Sequence, residues 1–91
     1  MTIKTVRSMG LELEQWTHET CVAEFGVGPD WATLYGIETS QADRGKGYAT
    51  ALLTEAKRYY QNQGKVLGGT IALNTTMADI YKRLGITEYK D

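Results

Sequence analysis

The sequence predicts a single α/β (α+β) domain: a mixed, mostly antiparallel sheet with helices packed against it. Three observations carry this. Apolar residues alternate with polar ones in several runs before Ser40. The period then changes, and from Tyr48 to about Gly64 apolar residues recur at helical spacing. A second short apolar run and a second amphipathic helix complete the order. At 91 residues the chain has room for one core, so residues 1–91 form one domain.

The elements follow in turn. Ile3 and Val6 suggest a short edge strand within the first ten residues. Leu11 and Leu13 alternate with Glu12 and Glu14, and Trp16 follows, which reads as a strand with one solvated face. Cys21, Ala23, Phe25 and Val27 alternate in a second strand, closed by the Gly28-Pro29-Asp30 turn. Trp31 to Thr39 carries apolar groups on both faces, as a central strand does. Simple alternation puts Trp31, Tyr35 and Ile37 on one face and Ala32, Leu34 and Glu38 on the other.

Tyr48, Leu52, Ala56, Tyr59 and Tyr60 then mark an amphipathic helix that ends near Gly64, a natural residue for a helix C-terminus. Val66, Leu67, Ile71 and Leu73 form an apolar strand interrupted by Gly68 and Gly69. Asn74, Thr75 or Thr76 caps a second helix, whose face is Met77, Ile80, Tyr81 and Leu84 and whose end is Gly85. Residues 87–91 either form a short strand or fray. Short loops make the early strands antiparallel. The strand–helix–strand unit from Trp31 to Leu73 is long enough for a parallel crossover.

Composition narrows the function. Ten basic and eleven acidic side chains nearly cancel, so no strong field for nucleic acid is expected. No apolar run is long enough to span a bilayer, and Met1-Thr2-Ile3-Lys4 lacks the apolar core of a secretory signal. One cysteine and one histidine exclude an internal disulfide and a Cys- or His-rich metal centre, so no metal is expected. The expected compartment is the cytoplasm.

The stretch that carries chemistry is Arg44-Gly45-Lys46-Gly47-Tyr48-Ala49. It joins a central strand directly to a helix. Glycines let the backbone approach a ligand, and a helix N-terminus offers unpaired N–H groups with the positive end of the dipole. Together they suit a phosphate or pyrophosphate, and Arg44 and Lys46 add charge there. A Walker A loop needs Ser or Thr after its lysine, and Gly47 stands there instead. A dinucleotide fingerprint needs a third glycine where Thr50 lies.

This stretch resembles the acyl-coenzyme A motif R/Q-x-x-G-x-G/A of the GNAT N-acetyltransferases, with Arg44, Gly47 and Ala49 on the defining positions. Asn74, Ala78, Ile80, Tyr81, Leu84 and Gly85 resemble the family's later asparagine–alanine–tyrosine helix, with Ile86 in place of the usual aromatic. The resemblance spans Trp31 to Tyr89. It implies a β-α-β acyl-CoA-binding unit in an N-terminally truncated member, because only ten residues precede Leu11 and the family's front segment usually closes over the acceptor.

The resemblance further implies acetyl-CoA as cosubstrate and a primary amine as acceptor, such as a protein lysine or N-terminus, with completion of the site by a homodimer as one arrangement. The backbone from Gly45 through Lys46, Gly47 and Tyr48 to Ala49 would hold the pyrophosphate. Ile37 and Thr39 would offer backbone groups to the pantetheine arm. Asn74 would contact the pantetheine, and Tyr81 would protonate the departing thiolate.

Other readings of these residues stay open. Tyr81 also fits a purely apolar helix face, and Asn74 also fits a cap. Glu24, Glu38 and His18 are candidates for a general base, with nothing in the sequence to choose among them. Cys21 alternates with Ala23 and Phe25, as a packed thiol would. The second functional class compatible with the sequence is an acyl-CoA-binding sensor or interaction module without catalysis.

Overall fold

The computed structural model describes residues 1–8, 10–70 and 75–88. The strands are β1 (Thr2–Ser8), β2 (Leu11–His18), β3 (Cys21–Val27), β4 (Trp31–Thr39), β5 (Val66–Gly69) and β6 (Thr87–Glu88). The helices are α1 (Tyr48–Asn62) and α2 (Thr75–Leu84). The strands lie in one sheet in chain order, β1 to β6. β1 to β4 pair antiparallel, whereas β4–β5 and β5–β6 pair parallel.

Both parallel connections step across the sheet in the same direction. Right-handed crossovers therefore place both helices on one face. Tyr60 of α1 packs its ring on Trp16 and Phe25, and Tyr81 of α2 packs on Gly69. The Lys57 ammonium reaches across to the Leu84 carbonyl and joins the two helices. The core lies between sheet and helices, with Phe25, Leu52, Leu53 and Tyr60 fully buried. Each such side chain stabilises the fold by about 1.5–3 kcal/mol.

The two helices end alike. Lys65 N–H donates to the Tyr60 carbonyl and Gly64 N–H to that of Gln61. Ile86 N–H donates to the Tyr81 carbonyl and Gly85 N–H to that of Lys82. Each set closes the orphan carbonyls of a last turn. In α2 it also brings Ile86 into the core.

Three expectations from the sequence are corrected. β4 does not alternate simply. Phe25 pairs with Leu34 but Glu24 pairs with Gly36, so Tyr35 is an extra residue at a β-bulge. The bulge moves Ile37 and Thr39 onto the helix-facing side with Ala32 and Leu34, while the Tyr35 ring lies over Gly26 on the opposite face. On β2 the helix-facing side carries Glu14 and Trp16, not Leu13. Trp16 pairs with buried Ala23, and Glu14 is tolerated there because it accepts a hydrogen bond from the Tyr60 hydroxyl. Finally, β1 is the expected edge strand but not a short one, since it pairs with β2 over its whole length, from Thr2–Thr17 to Ser8–Leu11. The expected strand through Ile71 and Leu73 is described as far as Gly69; residues 71–74 and 89–91 lie outside the described set.

Candidate functional site

A surface groove of about 660 Å³ opens where β4 meets the N-terminus of α1 and the outer side of α2. Its walls come from three places. Ile37, Glu38 and Thr39 line it from β4; Asp43 to Gly45 and Gly47 to Thr50 from the loop and the first turn of α1; Met77, Ile80 and Arg83 from α2. The parallel ladder between β4 and β5 runs to Leu34–Gly69, and Thr70 N–H then reaches the Leu34 carbonyl. The groove-lining part of β4 lies beyond that point.

Backbone geometry shapes the loop. Gly45 and Gly47 sit at φ +87° and +82°, in the left-handed region that side-chain-bearing residues avoid. Gly47 is the N-cap of α1 and no side chain caps the helix. Tyr48, Ala49 and Thr50 of the first turn line the groove, and among the described residues no side chain caps their N–H groups, an arrangement that suits an anion.

The loop is tied down by Asp43. Its carboxylate accepts from the Lys46 ammonium at 2.8 Å, from the Thr20 hydroxyl at 2.6 Å and from the Ser40 hydroxyl at 3.3 Å. Lys46 first, then Thr20, hold the Asp43 carboxyl below its ordinary pKa. The same pairing raises the Lys46 ammonium. Arg44 donates from Nε to the Thr39 carbonyl at 3.2 Å, which steadies its guanidinium beside the strand. Near the α1 N-terminus, the His18 ring meets the Tyr48 ring edge-on at 5.5 Å.

Of the residues singled out in the sequence, the structure brings Ile37, Thr39, Arg44, Gly45, Gly47, Tyr48 and Ala49 together along this groove. Lys46 belongs to the same loop and pairs its ammonium with Asp43, which lines the groove. Tyr81 stands behind the lining, next to Ile80, and is 5% exposed. Its hydroxyl lies so close over Gly69 that a Cβ there would be 2.6 Å away. Burial pushes the Tyr81 phenol above its ordinary pKa, the Glu88 carboxylate adds to this, and a hydrogen bond with Thr70 opposes it. Asn74 lies outside the described residues. Among the base candidates, Glu38 lines the groove.

Sequence reasoning missed Asp43, Met77, Ile80 and Arg83 as parts of the site. The last three had a signal, since spacing of three along α2 puts them on one stripe. Asp43 had a weaker one, its three-residue spacing from Lys46. The tether from Thr20, across 23 residues of chain, had none.

Comparison with known proteins decides the family. The acetyltransferase (GNAT) family profile matches residues 9–86, most of the chain. The chain belongs to the GNAT acetyltransferase family. Solved structures agree in fold. The ribosomal-protein-S18-alanine N-acetyltransferase of Escherichia coli superposes with a TM-score of 0.70 at 24% identity, over 87% of this chain and 54% of its own. A protein of Agrobacterium tumefaciens strain C58 assigned as an acetyltransferase gives 0.69 at 17% identity, over 92% and 67%. The aminoglycoside N-acetyltransferase AAC(6')-Iy, solved with CoA, gives 0.65 at 19% identity, over 89% and 71%. This GNAT domain thus spans between about half and three quarters of the length of these relatives. No curated protein matches it by sequence.

The residues of the groove suit a ligand that joins a phosphate group to a less polar arm. The uncapped first turn and the left-handed glycines suit a pyrophosphate, Arg44 supplies a cation, and Met77 and Ile80 supply apolar wall. Among the described residues no group of His, Cys, Asp and Glu is arranged to hold a metal ion. No described helix is long and apolar enough to cross a membrane.

Proposed function

We propose that this GNAT domain is an acetyl-CoA-dependent N-acetyltransferase acting on a primary amine, such as a lysine or N-terminus of a protein or peptide, in the cytoplasm. The observation that carries the reading is the uncapped α1 N-terminus between Gly47 and Thr50, opening into a groove that also takes in Ile37 and Thr39 of β4. Phosphate-binding and arm-binding elements share one channel there. N-acetyl transfer is also the activity named for the Escherichia coli and aminoglycoside relatives.

The acyl-CoA brings the activated thioester. The loop amides and Arg44 bind its pyrophosphate, and the groove-lining part of β4 orients the arm. The amine nitrogen attacks the thioester carbon, the carbon–sulfur bond breaks, and the acetyl group leaves on nitrogen. The thiolate takes a proton from the Tyr81 hydroxyl, the amine's proton passes to water, and the Tyr81 phenolate takes a proton back from solvent before the next turnover. Burial keeps the Tyr81 phenol protonated at neutral pH, as an acid must be. Holding the two reactants together supplies much of the rate.

A second reading is a module that binds acyl-CoA without turnover. The observation in its favour is the position of Tyr81 behind the groove lining. Calorimetric titration with acetyl-CoA, beside an Arg44→Glu, Gly47→Glu double variant, tests the shared premise. Binding lost in the variant supports the site; no binding by wild type overturns both readings. Release of free thiol in the presence of amine acceptors then separates enzyme from module.

A further inference from the structure

The groove carries a second cation that the loop motif leaves unexplained. Arg83 lies in the last turn of α2 and lines the groove from that helix, whereas Arg44 lines it from the loop before α1. It shares a helical stripe with Met77 and Ile80, so it continues the wall rather than hanging beside it. Its guanidinium makes no ion pair with a described residue. The ion pairs among the described residues are Lys46–Asp43 and Arg58–Glu55. The third cation of the region, Lys46, is therefore neutralised, while Arg83 is exposed and has no acidic partner among the described residues. A basic side chain at a helix C-terminus complements the dipole, but Lys82 already stands in the same turn.

This inference rests on the acyl-CoA reading of the groove. The α1 amides and Arg44 account for the pyrophosphate. Coenzyme A carries one more phosphate, a monoester on the 3′ oxygen of its ribose, which lies just beyond the pyrophosphate. A guanidinium on the α2 side of the groove has the planar donor fork that such a group takes up in two hydrogen bonds. We propose that Arg83 recognises the 3′-phosphate, so that the site selects coenzyme A over nucleotides that lack this group.

The test uses the intact protein and two ligands, coenzyme A and 3′-dephospho-coenzyme A. Calorimetry gives the Kd of each for wild type and for Arg83→Gln. Arg83 is exposed, so the variant should fold, and circular dichroism checks this. The expected result is that wild type prefers coenzyme A by about ten- to a hundredfold, the range of a charge-assisted contact. In Arg83→Gln that preference collapses to within about twofold, because coenzyme A weakens while dephospho-coenzyme A keeps its wild-type Kd. Equal wild-type affinity for the two ligands overturns the inference and leaves the acyl-CoA reading standing. So does a variant that weakens both alike. Failure of wild type to bind either ligand overturns the acyl-CoA reading, and this inference with it.

Discussion

The Trp16 indole N–H donates to the Tyr60 hydroxyl at 3.1 Å, and that hydroxyl donates in turn to Glu14 at 2.7 Å. The chain of bonds joins β2 to α1 across more than forty residues of sequence. It explains how a strand can turn a carboxylate toward the core. It also ties the C-terminal part of α1 to the sheet, while the other end of that helix lines the groove. Burial, and then the hydrogen bond to Glu14, push the Tyr60 phenol far above its ordinary pKa, so it stays a donor.

Replacing Tyr60 with Phe should therefore destabilise the domain by about 1–3 kcal/mol, the cost of stranding buried polar partners. The ring remains, so packing on Phe25 at 5.4 Å is kept. Urea unfolding measures the effect. An unchanged midpoint would mean that water replaces the hydroxyl at both partners.

A Cβ on Gly69 would collide with the ring and hydroxyl of Tyr81. Gly69→Ala should displace that hydroxyl while leaving the loop and α1 untouched. With Tyr81 as the acid, kcat falls in Gly69→Ala and falls by about a hundredfold in Tyr81→Phe, with the Kd for acetyl-CoA nearly constant in both. The raised phenol pKa sets the sign with pH. The active form is protonated, so activity is lost as pH rises, and only above the ordinary phenol range of about 10. A kcat that survives Tyr81→Phe removes it from the mechanism.

Asp43 places a negative charge in the groove proposed to hold the pyrophosphate, offset by Lys46. Asp43→Asn releases Lys46 and removes the repulsion. At low ionic strength acetyl-CoA should bind a few-fold tighter to the variant, and the gain should vanish near 1 M salt, where screening acts over about 3 Å. Stability should move the other way, since Thr20 and Ser40 lose a charged acceptor. The carboxyl pKa is lowered in the fold, so its contribution is present above the unfolded value and disappears as pH falls through the depressed one. Titrating wild type and variant in urea across acid pH tests the sign; a difference that grows toward low pH would contradict it.

Much of this was legible in the sequence because local chemistry decided it. Gly45, Gly47 and the change of period after Ser40 announce a loop entering a helix N-terminus, and the structure has both. Gly64 and Gly85 close their helices as the spacing predicts. What escaped was set at a distance. Nothing near Tyr35 reveals a bulge, because the bulge exists only in the register of β4 against β3. Glu14 reads as solvated until Tyr60 is brought to it. Alternation also assumes that apolar residues choose the buried face, and at Leu13 and Trp16 the larger ring took it.

Cys21 offers a way to watch the groove open. It is fully buried on β3, opposite Thr39 of β4, and Thr39 lines the groove. Burial raises the thiol pKa, and the hydrogen bond with Thr39 only partly opposes this. A buried thiol held protonated is a poor nucleophile, so a thiol reagent at pH 8 should label the native protein slowly and the urea-unfolded protein at once. Native labelling then requires β3 and β4 to part at the edge where Thr39 sits. Acetyl-CoA bound along β4, as proposed, would favour the closed form, so saturating ligand should slow labelling in proportion to its concentration over Kd. Global unfolding as the route predicts the same slowing, but also a rate that tracks the stability change in Tyr60→Phe. Labelling that responds to acetyl-CoA while ignoring Tyr60→Phe places the opening at the β3–β4 edge itself.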